Sequence, residues 1–584
     1  MKLIKRIAVT SVMVFSSLVA ADSKVLLIGI DGVQLEKLQA ANTPNMDQLN
    51  ISKAFTGGIA GTATEQKTSS GPGWSTILTG VWVNKHRIAE NGDDLANPDF
   101  PSVFKRIRDA KPNAYIASIA HWGTPNTHYF RNDVVGNNLT LNGISDQAVT
   151  DKVIDVINTT SADFIFAHLD DPDHYGHSQC FGSAYQNSIE VADAQVGQMM
   201  AAVNAKIAQG EDWLVLITTD HGRTPVVGCH HGNQSVQEKT IFIASNKALN
   251  HEFTQPADNL ENQDFNGIYA YPSQASITPT ILRHLGIEPQ IEWALDGIPL
   301  NGDLAVRKLM VSNTNADLTW IPEGDANVNV FRNGQLVDNV NDLEGQWSDL
   351  QTINGILDYT LVKNGTPATW RFNRLDITAA LDWNATRAYF FRSDDQYVRY
   401  SKTLDKADAG YPNLTNEATW PGLGAYADKI VAAFRKDNDK AYFFLNDGNY
   451  IRYDISADEA DSGYPKPINN DTWPGMENYA TNIVAALRWN GNRVYFFLDN
   501  GQYIRYNLVN DSVDSGYPKA ITNGNWPGLG DYANAIQSAV KWNNGRGYIF
   551  LKNQKYVRYN ITLDRVDAGY PNEVNSGTWP GLMN

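Results

Sequence analysis

The feature that most restricts the fold of this chain is an internal repeat near its end. The isoleucines that open four successive units, Ile377, Ile430, Ile483 and Ile536, stand 53 residues apart each time. A fixed period of that size belongs to propeller blades or solenoid turns, in which each unit covers an apolar face that its neighbour cannot cover alone. Each unit carries an aromatic strand (Tyr389-Phe390-Phe391 in the first), then a Tyr-x-Arg-Tyr strand (Tyr397 to Tyr400), then Gly-Tyr-Pro from Gly410 and Trp-Pro-Gly from Trp420. The alternating aromatics supply a face to stack and the Gly and Pro residues punctuate the turns, so these tyrosines and tryptophans are assigned to packing.

The four units, residues 372–584, resemble hemopexin repeats. The resemblance implies a four-bladed hemopexin-like β-propeller whose central channel holds a calcium or sodium ion through backbone carbonyls. It also implies a module that binds a protein, a glycan or a surface. Residues 305–371 read differently. Val328 to Phe331, an Asn333-Gly334 turn, Leu336-Val337 and Tyr359 to Val362 form alternating apolar runs, expected to build a small β-sandwich similar to a fibronectin type III or immunoglobulin module.

A chain of 584 residues exceeds what one core organises, and residues 22–304 remain for another domain. There, short β-rich runs (Val25 to Ile30, Ala114 to Ala120, Phe164 to Leu169, Leu214 to Thr218) alternate with helical patterns (Ser102 to Asp109, Asp146 to Asn158, Tyr185 to Ile207, Ser276 to Leu285). This alternation predicts an α/β domain with a mostly parallel sheet, and ligands of such folds bind beyond the carboxyl ends of the strands. Residues 1–21 read as a secretory signal: Lys2, Lys5 and Arg6, an apolar run from Ile7 to Ala20, and small residues before Asp22. The run is too short to span a bilayer comfortably and no second apolar span follows, so a secreted or periplasmic protein without a transmembrane anchor is expected. The net charge of -17, with no basic block, argues against a nucleic-acid scaffold.

The residues just past the strands carry chemistry. Asp31 follows the first run, Asp173-His174-Tyr175-Gly176-His177 the third, and Asp220-His221-Gly222 the fourth, with His230-His231-Gly232 shortly after. These last three stretches hold 5 of the 11 histidines, and a concentration of imidazole and carboxylate at strand ends calls for metal ions, zinc above all. In Ser70-Gly71-Pro72-Gly73-Trp74, Pro72 suits the first turn of a helix, which puts Ser70 at the N-terminus, either as a nucleophile stabilised by the helix dipole or as an ordinary cap.

From Asp31 to about Pro299, including Thr43-Pro44-Asn45, Ser70 to Gly80, Asp-x-x-x-His and Asp-His-Gly, the domain resembles the alkaline phosphatase superfamily, nearest its type I phosphodiesterase and nucleotide pyrophosphatase branch. The resemblance implies two divalent ions, zinc in each case. One would be held by Asp173, His177 and His231, with His230 as the alternative to His231, and one by Asp31, Asp220, His221 and the nucleophile Ser70. Cys180 and Cys229 each lie within three residues of a histidine of the first set, so a disulfide between them is a hypothesis beside that of two unrelated thiols.

Two positions depart from the family. Trp74 stands where sulfatases carry an arginine, and Gly73 where an asparagine contact to the phosphoryl oxygen is expected. No lysine or arginine lies between Ser70 and Gly80, which favours a singly charged diester, such as a nucleotide or a phospholipid headgroup; Lys67, Lys85, Arg87 and His121 remain outside the assigned set. The expected activity is a metal-dependent phosphodiesterase. The alternatives are a phosphomonoesterase or sulfatase of the same fold, or a surface- or matrix-binding protein with a vestigial catalytic domain.

Overall fold

The computed structural model describes residues 22–311, 316–349, 355–489, 492–552, 554–575 and 577–583. The signal-peptide reading for residues 1–21 lies outside them. Among the described residues no helix is long and apolar enough to cross a membrane.

The N-terminal domain is built on a seven-stranded sheet: β1 (Ser23–Ile30), β2 (Asn50–Phe55), β3 (Ile116–Ala120), β4 (Leu139–Asn142), β5 (Phe164–Leu169), β6 (Asp212–Thr218) and β7 (Thr240–Ser245), in the order β2-β7-β6-β1-β5-β3-β4. Strands β6, β1, β5, β3 and β4 run parallel, and their near-continuous apolar sequences follow from burial on both faces. The sheet is mixed rather than simply parallel, because β7 and β2 join its edge antiparallel. The apolar runs above include neither strand: β2 is an edge strand with four residues at least partly exposed, and β7 is a strand buried from Ile241 to Ser245 that pairs antiparallel with both neighbours. Helices Val103–Ala110 and Ile277–His284 cover one face, where Phe104, Ile107, Ile281 and Leu282 pack with Val25, Leu27 and Phe166; helices Asp146–Thr159 and Ser183–Ile207 cover the other, with Val153, Ile189 and Val196 against Leu26, Ile28 and Val215.

Seven further strands form two antiparallel sheets. One has the order β11 (Gln335–Asn341), β10 (Asn327–Arg332), β13 (Gly355–Lys363), β14 (Thr366–Arg374), and the other β12 (Gln346–Ser348), β9 (Asp317–Ile321), β8 (Arg307–Val311). Leu318 and Trp320 of the second sheet share one core with Val328, Tyr359 and Leu361 of the first. Asn333 and Gly334 both have positive φ, 47° and 75°, which is the hairpin turn that an Asn-Gly pair favours. Buried Glu252 of the α/β domain receives both Arg307 and Lys308 of β8, and Arg283 donates to Thr366, so the two modules are joined by charged contacts.

The repeats form four antiparallel sheets whose innermost strands are Ile377–Asp382, Ile430–Arg435, Ile483–Arg488 and Ile536–Lys541. Neighbouring innermost strands pack together, including the last against the first, so the array closes as a propeller and does not continue as a solenoid. The proline of each Trp-Pro-Gly motif accepts a hydrogen bond from the next blade: Ala460 N to Pro421 O, Val513 N to Pro474 O, Val566 N to Pro527 O and, closing the ring, Ala407 N to Pro580 O, all between 2.8 and 3.1 Å. The tryptophan wedges between blades. Trp473 lies 5.1 Å from Phe444 of its own blade, and 5.8 Å and 5.0 Å from Phe496 and Tyr506 of the next. Truncating it removes a ring shared by two sheets. Trp473→Ala is expected to destabilise the propeller by about 3–5 kcal/mol, read as a lowered denaturation midpoint, whereas an unchanged midpoint would deny the wedge its role.

Candidate metal centre and nucleophile

Strands β6, β1 and β5 are neighbours at the centre of the sheet, so the residues that follow them converge. Asp31 follows β1, Asp220 and His221 follow β6, and the Asp171–Gln179 helix after β5 presents Asp173 and His177 one turn apart on the same face. The approach is close enough to demand glycine at two positions. Gly32 turns with φ 64° and donates its N–H to Asp220 Oδ1 at 3.1 Å, and a Cβ there would sit 2.3 Å from Asp173 Oδ1. Gly73 lies against Asp220, whose Cβ and carbonyl oxygen would both be 2.9 Å from an added Cβ. The asparagine expected at position 73 has no room.

Two clusters result. In the first, His177 Nε2 is 3.2 Å from Asp173 Oδ2 and 3.0 Å from His231 Nε2, which in turn lies 4.0 Å from Asp173 Oδ1. In the second, His221 Nε2 is 3.2 Å from Asp220 Oδ2, 3.6 Å from Asp31 Oδ1 and 3.3 Å from Ser70 Oγ. The rings of His221 and His231 stack at 3.9 Å, which puts the clusters side by side. His231 Nδ1 faces Thr68 O at 3.2 Å and His221 Nδ1 faces Gly222 O at 2.8 Å. A carbonyl can only accept, so each Nδ1 carries the proton and each Nε2 turns its lone pair into the cluster, as a metal-binding imidazole requires.

The electrostatics agree. Asp31 Oδ1 and Asp220 Oδ2 are buried and accept no hydrogen bond among the described residues. Burial, with the charges of Asp220 and Asp173, pushes the Asp31 carboxyl up to about 6; burial and the Asp173 charge push Asp220 up to about 7. Burial and the neighbouring His221 drive His231 down to about 2. Asp173 moves the other way: burial alone would raise it, but the His177 hydrogen bond and the charges of His221 and Arg223 hold it well below the carboxylate range. Carboxylate oxygens buried without donors, beside imidazoles whose Nε2 atoms face the clusters, are a ligand set that a divalent cation completes, so the residues fit the ions that the family resemblance implies.

Ser70 is the first residue of the Ser70–Thr79 helix, with Ser69 as its cap, and it is 5% exposed. Two neighbours were not evident from sequence. Asn91 returns from a loop so that its Oδ1 accepts Gly71 N–H at 2.8 Å, beside Ser70. Arg223, fully buried, pairs with Asp173 and donates to Cys229 O. The position of Arg223, two residues past His221, was the available signal for it; Asn91 had none, because its place depends on how the loop returns. Cys180 and Cys229 are disulfide-bonded, which ties the end of the His177 helix to the loop that carries His230 and His231. His230 is exposed and His231 is the one inside the cluster. Lys67 is committed to Glu90, Lys85 to Asp296 and His121 to Asp146, while Arg87 occupies a left-handed turn with φ 65°.

Residues 24–288 match the family model described as Metalloenzyme superfamily, and residues 430–478 match Hemopexin. Among curated proteins, the chain is 29% identical over 146 residues to human neutrophil collagenase, covering 25% of this chain and 28% of that protein. It is 29% identical over 145 residues to the 2,3-bisphosphoglycerate-independent phosphoglycerate mutase of Haloquadratum walsbyi, covering 25% and 26%. The chain thus spans little more than a quarter of the length of either relative. Among solved structures, murine ectonucleotide pyrophosphatase/phosphodiesterase 5 overlaps 48% of this chain and 97% of its own at 14% identity and a TM-score of 0.33. The protein therefore carries an N-terminal domain of the metalloenzyme superfamily, of alkaline-phosphatase type, and a C-terminal hemopexin domain.

Proposed function

We propose that this protein is an exported phosphodiesterase in which Ser70 is the nucleophile and two zinc ions occupy the paired clusters. The observation that carries the reading is the arrangement around His221 Nε2: two buried carboxylate oxygens without hydrogen bonds and the Ser70 hydroxyl, all within 3.6 Å of it. Asp173, His177 and His231 would hold one ion, and Asp31, Asp220, His221 and Ser70 the other. When bound, the ions supply positive charge that neutralises the phosphoryl oxygens and lowers the pKa of the groups they touch.

Ser70 Oγ would form a bond to phosphorus as the opposite ester P–O bond breaks and the alcohol leaves; water would then open the phosphoserine. The helix that begins at Ser70 directs its dipole toward the incoming anion. Asn91 holds Gly71 N–H through its carbonyl oxygen, so its amide NH₂ is the donor it offers to a non-bridging oxygen, in place of the contact that Gly73 cannot make. Lys67 and Lys85, committed to Glu90 and Asp296, add no charge for a dianionic monoester, which favours the singly charged diester. The propeller would hold the enzyme on a protein, glycan or surface.

The Ser70→Ala variant should lose at least a hundredfold in turnover of bis-p-nitrophenyl phosphate while unfolding at the wild-type temperature, and the wild type should prefer this diester to p-nitrophenyl phosphate. A serine-independent rate, or a preference for the monoester, would contradict the reading. A second expectation concerns pH. Asp31 and Asp220 are raised in the native state above their unfolded values, so between about pH 4 and 7 these two carboxyls hold more protons in the native metal-free protein than in the unfolded one, and their contribution to stability falls as pH rises, while His231, held down at about 2, contributes in the opposite sense. Thermal melts of chelator-treated protein should therefore show the wild type losing Tm relative to Asp220→Asn between pH 5 and 8, with zinc restoring the wild type most at pH 8. A wild type whose Tm does not fall relative to that variant over this range would show that Asp220 is not the uncompensated charge described.

A further inference from the structure

Asp31 differs from the other carboxylates of the centre in how its two oxygens are used. Oδ1 faces His221 Nε2 and accepts no hydrogen bond, whereas Oδ2 is met from two sides, by Trp74 Nε1 at 2.9 Å and His168 Nε2 at 3.2 Å. Both partners are obliged to donate. An indole N–H has no acceptor role. His168 Nδ1 faces the Trp122 backbone N–H at 3.4 Å, and since that group can only donate, the His168 proton lies on Nε2, directed at Asp31.

The pair is built into the core. Trp74 and His168 are both 0% exposed, and their rings meet edge to face at 4.8 Å. Trp74 comes from the nucleophile helix and His168 from β5, so Asp31 is gripped by the elements on either side of it. Gly29, two residues before Asp31 on β1, makes room for the indole: a Cβ at that position would stand 2.2 Å from the Trp74 ring. Drawing the hydrogen-bonded oxygen away from Trp74 and His168 toward an ion would leave two buried N–H donors unsatisfied.

We propose that Trp74 and His168 are positioning residues that restrict Asp31 to one metal-facing oxygen, Oδ1, and thereby set the affinity of the cluster containing Ser70 without touching substrate. The proposal rests on the two-ion reading above. It also explains position 74, where sulfatases have an arginine: here an indole N–H is directed at a ligand of the centre.

Zinc titration calorimetry of chelator-stripped, full-length protein tests it, with melting of the metal-free proteins measured alongside. Wild type should take two ions. Trp74→Phe and His168→Leu should each keep one ion at wild-type affinity and bind the other about 10–100-fold more weakly, and His168→Gln, which retains a donor, should fall between His168→Leu and wild type. If both affinities stay unchanged while only the metal-free Tm drops, the pair is structural and the proposal is wrong. Equal weakening of both ions would overturn it too, as would a third ion in the wild type that His168→Leu abolishes, since His168 Nε2 would then be a ligand and carry no proton. A wild-type protein that binds no zinc would remove the two-ion reading and this proposal together; two tight sites that survive every substitution would remove the proposal alone.

Discussion

Three carboxylates, Asp31, Asp173 and Asp220, are brought together by the order of strands β6, β1 and β5, and their mutual repulsion is the constraint on which the centre depends. Like charges at this distance in a low-dielectric setting are tolerated only when protonated or matched by cations. The protein matches one of them itself, through Arg223 on Asp173. The other two keep an oxygen apiece that no donor reaches among the described residues, with the imidazoles of His177, His221 and His231 gathered around. The same arrangement explains the glycines at 32 and 73, the orientation of the histidines by carbonyl groups, and the disulfide that fixes the loop of His231 to the helix of His177.

Much of this was legible because it is written locally. A strand followed at once by Asp, or by Asp-His, needs no tertiary knowledge to be placed at the mouth of an α/β sheet, and the spacing from Asp173 to His177 is one helical turn. The 53-residue repeat is equally local, and closure of the ring follows from repetition: the Trp-Pro-Gly of the last blade meets the first blade as each earlier one meets its successor. What was not legible depends on returns of the chain. Asn91 reaches Gly71 from a loop twenty residues on, and Trp74, read as the absence of an arginine, acquires meaning only beside Asp31 and His168. The edge strand β2 went unseen because an exposed edge does not need the continuous apolar sequence that marks the centre of the sheet.

The propeller and the metal centre make different use of aromatic and charged residues. In the propeller, tryptophans lie between blades and one aspartate at the same repeat position is met by two cations, as Asp514 is by Arg493 and Arg505 and Asp567 by Arg546 and Arg558. In the α/β domain, Asp31 and Asp220 each keep a buried oxygen that accepts no hydrogen bond among the described residues, and Ser70 stands beside His221 at that point.

The central claim, that these carboxylates and histidines are a two-ion centre, is tested most directly by anomalous scattering at the zinc edge from crystals of the zinc-supplemented protein. The account predicts two peaks, one among Asp173, His177 and His231 and one among Asp31, Asp220, His221 and Ser70. A map with no peak at either cluster, or with ordered zinc only elsewhere, would contradict it.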